Sequence, residues 1–315
     1  MSSGDENQTD LAETREALAQ HVADNHILPA YAQVLNSAED LFNVWESFAV
    51  TPDATGLESV QAALKALWLD WQDAAIYQMG PTETNVLRAA INLYPTDETK
   101  IEGNVSSGSY TIGSISNQGA EGLPALDYLL HAQDVASTLE KMQGNPARLA
   151  YTGALIEEVL ERTTLVEDNW RTNTFLTQFK SEQAAGTDVG SAMGLLVNAI
   201  DLHFQRYLRD GKVAIPAGVR SAGIPRPKAV ESLYAGYSKE LLSRALLAYQ
   251  DLFDGQGING ISGTSIYTYL GAIDQPGLVT DLKNTFVAAE TRIEPLADNF
   301  ANQIEEDEMP LVEVF

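Results

Sequence analysis

Residues 11–48, LAETREALAQHVADNHILPAYAQVLNSAEDLFNVWESF, carry Leu18, Val22, Ile27, Tyr31, Val34, Leu35, Ala38, Leu41, Phe42 and Trp45 mainly at spacings of three and four. That is the repeat of a helix with one apolar face, and few segments alternate as strands do. Pro29 falls inside the pattern. A proline cannot donate to the carbonyl four residues back, so a kink is expected there.

Outward from this stretch the same repeat continues. A second helix is predicted over 56–79, carrying Leu64, Leu67, Trp68, Trp71 and Ala75 and stopped by Gly80-Pro81. Residues 82–119 read as mixed. Asn92-Leu93-Tyr94-Pro95-Thr96-Asp97 breaks any helix, Ser106–Ser116 is rich in Ser and Gly with β-prone pieces at Tyr110–Ile112, and Tyr110 is expected to dock onto the body. Gly144-Asn145-Pro146 is the best boundary. Beyond it helices are expected over 147–180, 189–209 with Asp188 as cap, 229–253 and 276–302. The polar start, 1–10, reads as a flexible tether. The expected architecture is all-α, with helical bundles at 11–145 and 146–315 packed side by side and a mixed loop region in the first half.

Composition narrows the function. The 315 residues include 19 basic against 44 acidic ones, a formal charge of −25. Nucleic-acid binding needs Lys and Arg clustered on a face, so no nucleic-acid partner is expected, and anionic membrane surfaces are disfavoured. There is no Cys, which excludes disulfides, thiolate ligands and a Cys nucleophile. No run of about 18 apolar residues exists, so no transmembrane segment is expected.

One segment has the grammar of a site. In Gly119-Ala120-Glu121-Gly122-Leu123-Pro124-Ala125-Leu126-Asp127-Tyr128-Leu129-Leu130 a glycine-rich loop turns into a helix. Pro124 suits the first helical position, and Asp127 would then fall in the first turn, where exposed amides favour an acid by roughly 0.3–1 kcal/mol. The plain reading is a helix start with Leu126, Leu129 and Leu130 inward. The functional reading makes the amides after Gly122, with Glu121 and Asp127, a polar pocket for a small ligand or ion.

Catalytic patterns are missing. The four histidines are His21, His26, His131 and His203, none preceded by Glu three residues earlier, and no His-Glu-x-x-His or Gly-x-Ser-x-Gly occurs. The spacings His21–Asp24 and His131–Asp134 read as surface ion pairs. A hard cation, iron among them, stays open as a ligand through Asp, Glu, Tyr and carbonyl oxygens, with no metal-binding residue assigned.

Several landmarks in order resemble the imelysin-like proteins: Trp68-Leu69-Asp70-Trp71-Gln72, Gly80-Pro81, Asn92-Leu93-Tyr94-Pro95, Gly122–Leu130, then Lys212–Gly218, Glu231, Tyr237-Ser238 and Ser265–Gly271. The family pattern Gly-x-His-x-x-Glu is here Gly122-Leu123-Pro124-Ala125-Leu126-Asp127, with proline in place of the imidazole. The resemblance implies two four-helix-bundle domains and a cell-envelope binding protein associated with iron uptake, periplasmic or an outer-membrane lipoprotein, working with iron-uptake membrane proteins. It implies a lipid anchor too, with Met1 standing where the lipidated Cys would be. The ligand site it implies lies between the bundles near the signature, drawing on Gly122, Pro124, Asp127, Glu121, Trp71, Asn92, Tyr94, Ser238 and Tyr269. Each also has a plain role, Trp68 and Trp71 as core above all. A metallopeptidase of the imelysin type and a structural or adaptor lipoprotein remain the alternatives. Pro124 tells against the first, so no catalytic residue is assigned.

Overall fold

The computed structural model describes the backbone of residues 3–315 and side chains from residue 10. Met1, the expected anchor position, lies outside the described residues, and residues 3–10 of the polar start form the first turns of a helix. The first half runs through α1 (Ser3–Val22), α2 (Leu28–Val50), α3 (Ala54–Ala74), α4 (Pro81–Thr84), α5 (Leu87–Ile91), α6 (Glu98–Ser107), α7 (Gly122–His131) and α8 (Val135–Gly144). The second half adds α9 (Pro146–Thr172), α10 (Thr174–Phe179), α11 (Ala192–Leu202), α12 (Ser238–Asp254), α13 (Ile266–Ala272), α14 (Pro276–Ile293), α15 (Phe300–Glu306) and α16 (Met309–Val314). The protein is all-α. Among the described residues the β-prone piece at Tyr110–Ile112 forms no strand, and one isolated bridge pairs Gln256 with Ser262. Tyr110 does dock, its ring edge-on to Tyr151 at 4.7 Å. Among the described residues no helix is long and apolar enough to cross a membrane.

Pro29 acts on the turn before it. Between α1 and α2 the chain widens into a π-helical turn, Ala23–Ile27, and continues without a break. Asn25, four residues before the proline, loses its helical donor, and its carbonyl accepts instead from the Ile258 N–H at 2.9 Å. Gly257 permits that approach, since a Cβ there would stand 2.7 Å from Asn25 Cβ.

Other helix ends depart from the periodicity because specific groups capture the backbone. The predicted 56–79 helix stops at Ala74, whose carbonyl, with that of Tyr77, accepts from the Tyr31 hydroxyl. The predicted 276–302 helix stops at Ile293, and Lys239 Nζ donates to the carbonyls of Glu294 and Leu296 at 2.7 and 2.9 Å. Asp188 is not the cap of α11. Ser191 is, accepting from Gly194 N–H, while Asp188 closes the preceding loop through Gly190 N–H. After α11 the helix runs on in π form from His203 to Ala214, which carries Lys212 into the core.

The centre is α2, packed on α3 and α9, with α3 also against α12. Trp68, Trp71 and Trp170 have no exposed surface, so both tryptophans of the 68–72 landmark are core. Tyr31 stacks on Trp170 with ring centroids 5.6 Å apart, and a buried relay runs from Trp170 Nε1 to Thr82 Oγ1 to Tyr31 Oη. Each polar atom of this relay is thereby paired, the condition for burying it without a penalty of about 1–3 kcal/mol, whereas Trp71 Nε1 is buried without a partner.

Candidate functional site

Gly122 opens α7 with φ +74, a left-handed conformation that favours glycine. A Cβ here would lie 2.5 Å from the Ile91 carbonyl oxygen, so the start of α7 presses directly on the end of α5. Pro124 is therefore the third helical residue rather than the first; its missing N–H still costs nothing, because the first amides of a helix have no intrahelical acceptor. Asp127 is correspondingly not in the first turn, and the helix-dipole reading of it fails. Gly122→Ala is expected to destabilise the protein by at least about 2 kcal/mol, from backbone strain plus the clash, read by urea unfolding.

Asp127 points instead across to the turn before α12. It is buried, and its two carboxylate oxygens accept from the backbone N–H groups of Tyr234 and Ala235, both at 2.9 Å. Burial pushes its carboxyl up to about 7, against the pull of the two amides. His131 stands one turn on, Nδ1 3.5 Å from Asp127 Oδ1, too far for a good hydrogen bond. Burial brings this imidazole down to about 4, so the contact is not an ion pair at neutral pH. The expected surface pair His131–Asp134 is absent: Asp134 caps α8 through Ser137 N–H. His21–Asp24 is not a pair either, since His21 Nε2 bonds the Gly255 carbonyl and Asp24 meets Lys180.

The captured turn, 230–237, was expected to be helical. Two sets of interactions hold it out of a helix: its amides serve Asp127, and Ser238 Oγ donates to the Glu231 carbonyl at 2.7 Å. Ser232 sits at φ +56, a strained position for a residue with a Cβ. Between this turn and α7 lies a cavity of about 200 Å³, bounded by Pro124, Asp127, Tyr94, Glu98, Ser232 and Tyr234 among others.

Behind Tyr94 the turn delivers Glu231 into the interior. Its Oε1 accepts from Trp68 Nε1 at 3.0 Å, Asn92 Nδ2 at 2.7 Å and Gln72 Nε2 at 3.3 Å, and its Oε2 pairs with the Lys212 ammonium. Burial would raise the Glu231 carboxyl, but Lys212, Asn92 and Arg88 together hold it below the ordinary carboxylate range. Arg88 is the second buried cation, lying over the Tyr207 ring at 3.7 Å, and no carboxylate among the described residues pairs with it. Asn92 Oδ1, Tyr94 Oη and His203 Nε2 are buried without hydrogen-bond partners. Two cations thus face one carboxylate with the Tyr94 hydroxyl as a spare donor, an arrangement suited to anionic oxygens, while Asn92 Oδ1 is an acceptor and adds nothing to it.

Of the residues singled out in the sequence, Pro124, Asp127 and Tyr94 meet at the cavity, and Asn92 and Ser238 join them through Glu231. Glu121 does not. It holds the preceding loop through Gly113 N–H and Asn117 Nδ2. Gly122 acts through the α5 contact, Trp71 is wholly buried, and Tyr269 lies elsewhere, 6.0 Å from the Arg15 guanidinium. Arg88, Lys212 and Glu231 were not assigned to the site. Lys212 and Glu231 stood among the landmarks of the family resemblance without being read as site residues, and Arg88 had no signal. Among the described residues no three His, Asp or Glu side chains gather as metal ligands.

A family model described as imelysin, peptidase M75, matches residues 27–310. A solved structure described as an iron-regulated protein A precursor from Parabacteroides distasonis is similar with TM-score 0.78 and 16% identity, over 96% of this chain and 91% of that one. An imelysin-like protein from Psychrobacter arcticum is similar with TM-score 0.71 and 17% identity, over 96% and 92%. At such identities the structural likeness shows the fold alone. No curated protein matches.

Proposed function

The chain belongs to the imelysin family, and on that premise we propose that it is a cell-envelope binding protein associated with iron uptake, taking a small ligand where α7 meets the 230–237 turn. The observation that carries this reading is the pair of buried cations Arg88 and Lys212 together with the unpartnered Tyr94 hydroxyl, a free donor on a residue that lines the cavity with Asp127. The ligand is one that presents anionic oxygens, free or as the oxygen shell of a ferric chelate. Iron then arrives with its own ligands, which accords with a site that gathers no metal-binding triad. The two-bundle organisation belongs to the same reading. Packing of α9 on α2, α5 and α7 supports counting α9 with the first bundle and setting the division after α10 rather than at residue 145.

Calorimetric titration with citrate, ferric citrate and inorganic phosphate tests the site. Saturable binding of at least one is expected, weakened roughly tenfold or more in Arg88→Gln, since a charge-assisted hydrogen bond contributes about 1.5–3 kcal/mol. Equal binding by wild type and a folded Arg88→Gln would remove the site from Arg88. Metal-dependent cleavage of an unfolded substrate, lost in Asp127→Ala, would restore the peptidase reading instead.

A further inference from the structure

A second cavity, of about 480 Å³, lies far along the chain from the signature, enclosed by α11 and the π-helical turn after it, α12, α14 and α16. Its volume falls in the roughly 300–1,000 Å³ range of small-molecule pockets. Its walls are aliphatic and aromatic, with Phe204, Leu246, Phe253, Phe286 and Phe315 prominent. The polar atoms on two lining residues are already committed: Tyr249 Oη bonds His203 Nδ1 at 2.8 Å, and Thr285 Oγ1 donates to the Asp281 carbonyl. Two charged residues complete the lining, exposed Asp201 and half-buried Arg209.

Arg209 is the one basic residue of this lining. Acidic residues outnumber basic ones 44 to 19, yet among the described residues no carboxylate pairs with its guanidinium, which donates to Gln205 Oε1 at 2.6 Å and lies 4.3 Å from the Phe315 ring centroid. Its neighbour Arg220, also over that ring, is by contrast held by Asp210. The covering helix α14 is largely exposed. Ile293 is the one residue that α14 buries, while Leu278 and Val287 on it are 44% and 59% exposed. Val197 and Phe204, on the opposite wall, are exposed too, so the cavity reaches solvent along that edge.

We propose that this cavity is a binding site for a single-chain anionic amphiphile of the long-chain fatty-acid class, its hydrocarbon tail under α14 and its carboxylate at Arg209. An apolar cavity draws apolar ligands because it offers them close packing and holds water poorly. Arg209 is the one cation of the lining and Asp201 its one carboxylate, and a guanidinium with no carboxylate partner favours an anionic head over a neutral or cationic one. The site shares no residue with the signature cavity, so it stands or falls separately from the function proposed above.

The test uses the full chain and hexadecanoate below its micelle concentration, followed by calorimetry, with hexadecanol, hexadecyltrimethylammonium and phosphatidylglycerol vesicles as comparison arms. Saturable one-site binding of hexadecanoate is expected, with hexadecanol weaker by about threefold to tenfold. Arg209→Gln should bring the acid down to the level of the alcohol. Ala289→Trp, which fills the cavity from the side of α14, should abolish tail binding while circular dichroism and the ferric citrate titration stay unchanged. Binding that survives Ala289→Trp, equal affinity for the cationic amphiphile, or association with vesicles but not with monomeric acid would each overturn the proposal.

Discussion

Glu231→Ala is expected to lower the unfolding free energy at neutral pH by roughly 3–5 kcal/mol, the cost of removing one member of a buried ion pair. The carboxylate is 2% exposed and the Lys212 side chain 3%, so neither charge is screened by water. Without Glu231, Lys212 and Arg88 face each other as uncompensated cations, and the Trp68, Gln72 and Asn92 donors lose their shared acceptor. A buried charge left unpaired is the larger of these penalties, because its desolvation is no longer offset by attraction. Lys212→Met combined with Glu231→Gln should recover much of the loss. The glutamine oxygen keeps an acceptor for the three donors, while the methionine removes the charge at similar volume. Urea denaturation of the single and double variants checks the ordering. A loss below about 1 kcal/mol in Glu231→Ala would mean that solvent reaches the cluster and that the pair behaves like a surface ion pair.

The helical class was legible at once, because Leu18 to Trp45 repeat with helical spacing and the large aromatics on that face are buried. What periodicity could not supply was where long-range partners capture the backbone. Nothing near Pro29 in sequence announces that Ile258 will take the freed Asn25 carbonyl, or that Asp127 will draw the amides of Tyr234 and Ala235 out of a helix. The same limit governs the site. The signature segment was found because its proline and glycines are local signals, and Asn92, Tyr94 and Ser238 because they lie in ordered landmarks. Glu231, Lys212 and Arg88 come from separate stretches of chain, and only packing turns these ordinary charges into a desolvated cluster. Asp127 was found for the wrong reason: it does not serve the helix start, and acts as a latch to the opposite turn.

Asp127→Asn is expected to make the protein more stable above neutral pH, although the substitution removes a carboxylate that accepts two hydrogen bonds. The sign follows from where the group titrates. Its carboxyl is pushed by burial from 3.8 up to about 7 in the folded protein, so the fold prefers the protonated form. Below about pH 4 both folded and unfolded chains hold the proton, and the asparagine variant should be the less stable by about 1–3 kcal/mol, because its one amide oxygen serves one of the Tyr234 and Ala235 N–H groups and its NH2 faces the other. As pH rises the unfolded chain ionises first, and wild-type stability contributed by the protonated group is lost progressively until the folded carboxyl ionises too, near pH 7. The shift bounds the pH-dependent change between the two proteins on the order of 4 kcal/mol, all of it in place above about pH 8, which leaves the variant ahead there by roughly 1–3 kcal/mol after the lost hydrogen bond. Urea unfolding of both proteins from about pH 4 to about pH 8 measures the difference directly. If wild type stays the more stable throughout, the Tyr234 and Ala235 amides hold the carboxylate ionised across the range and Asp127 is a plain structural anchor. If the variant gains with pH as expected, the protein gives up stability at neutral pH to keep an acid, in place of an inert amide, on the wall of the signature cavity, where residues under functional demand are found to be less stable than the fold permits.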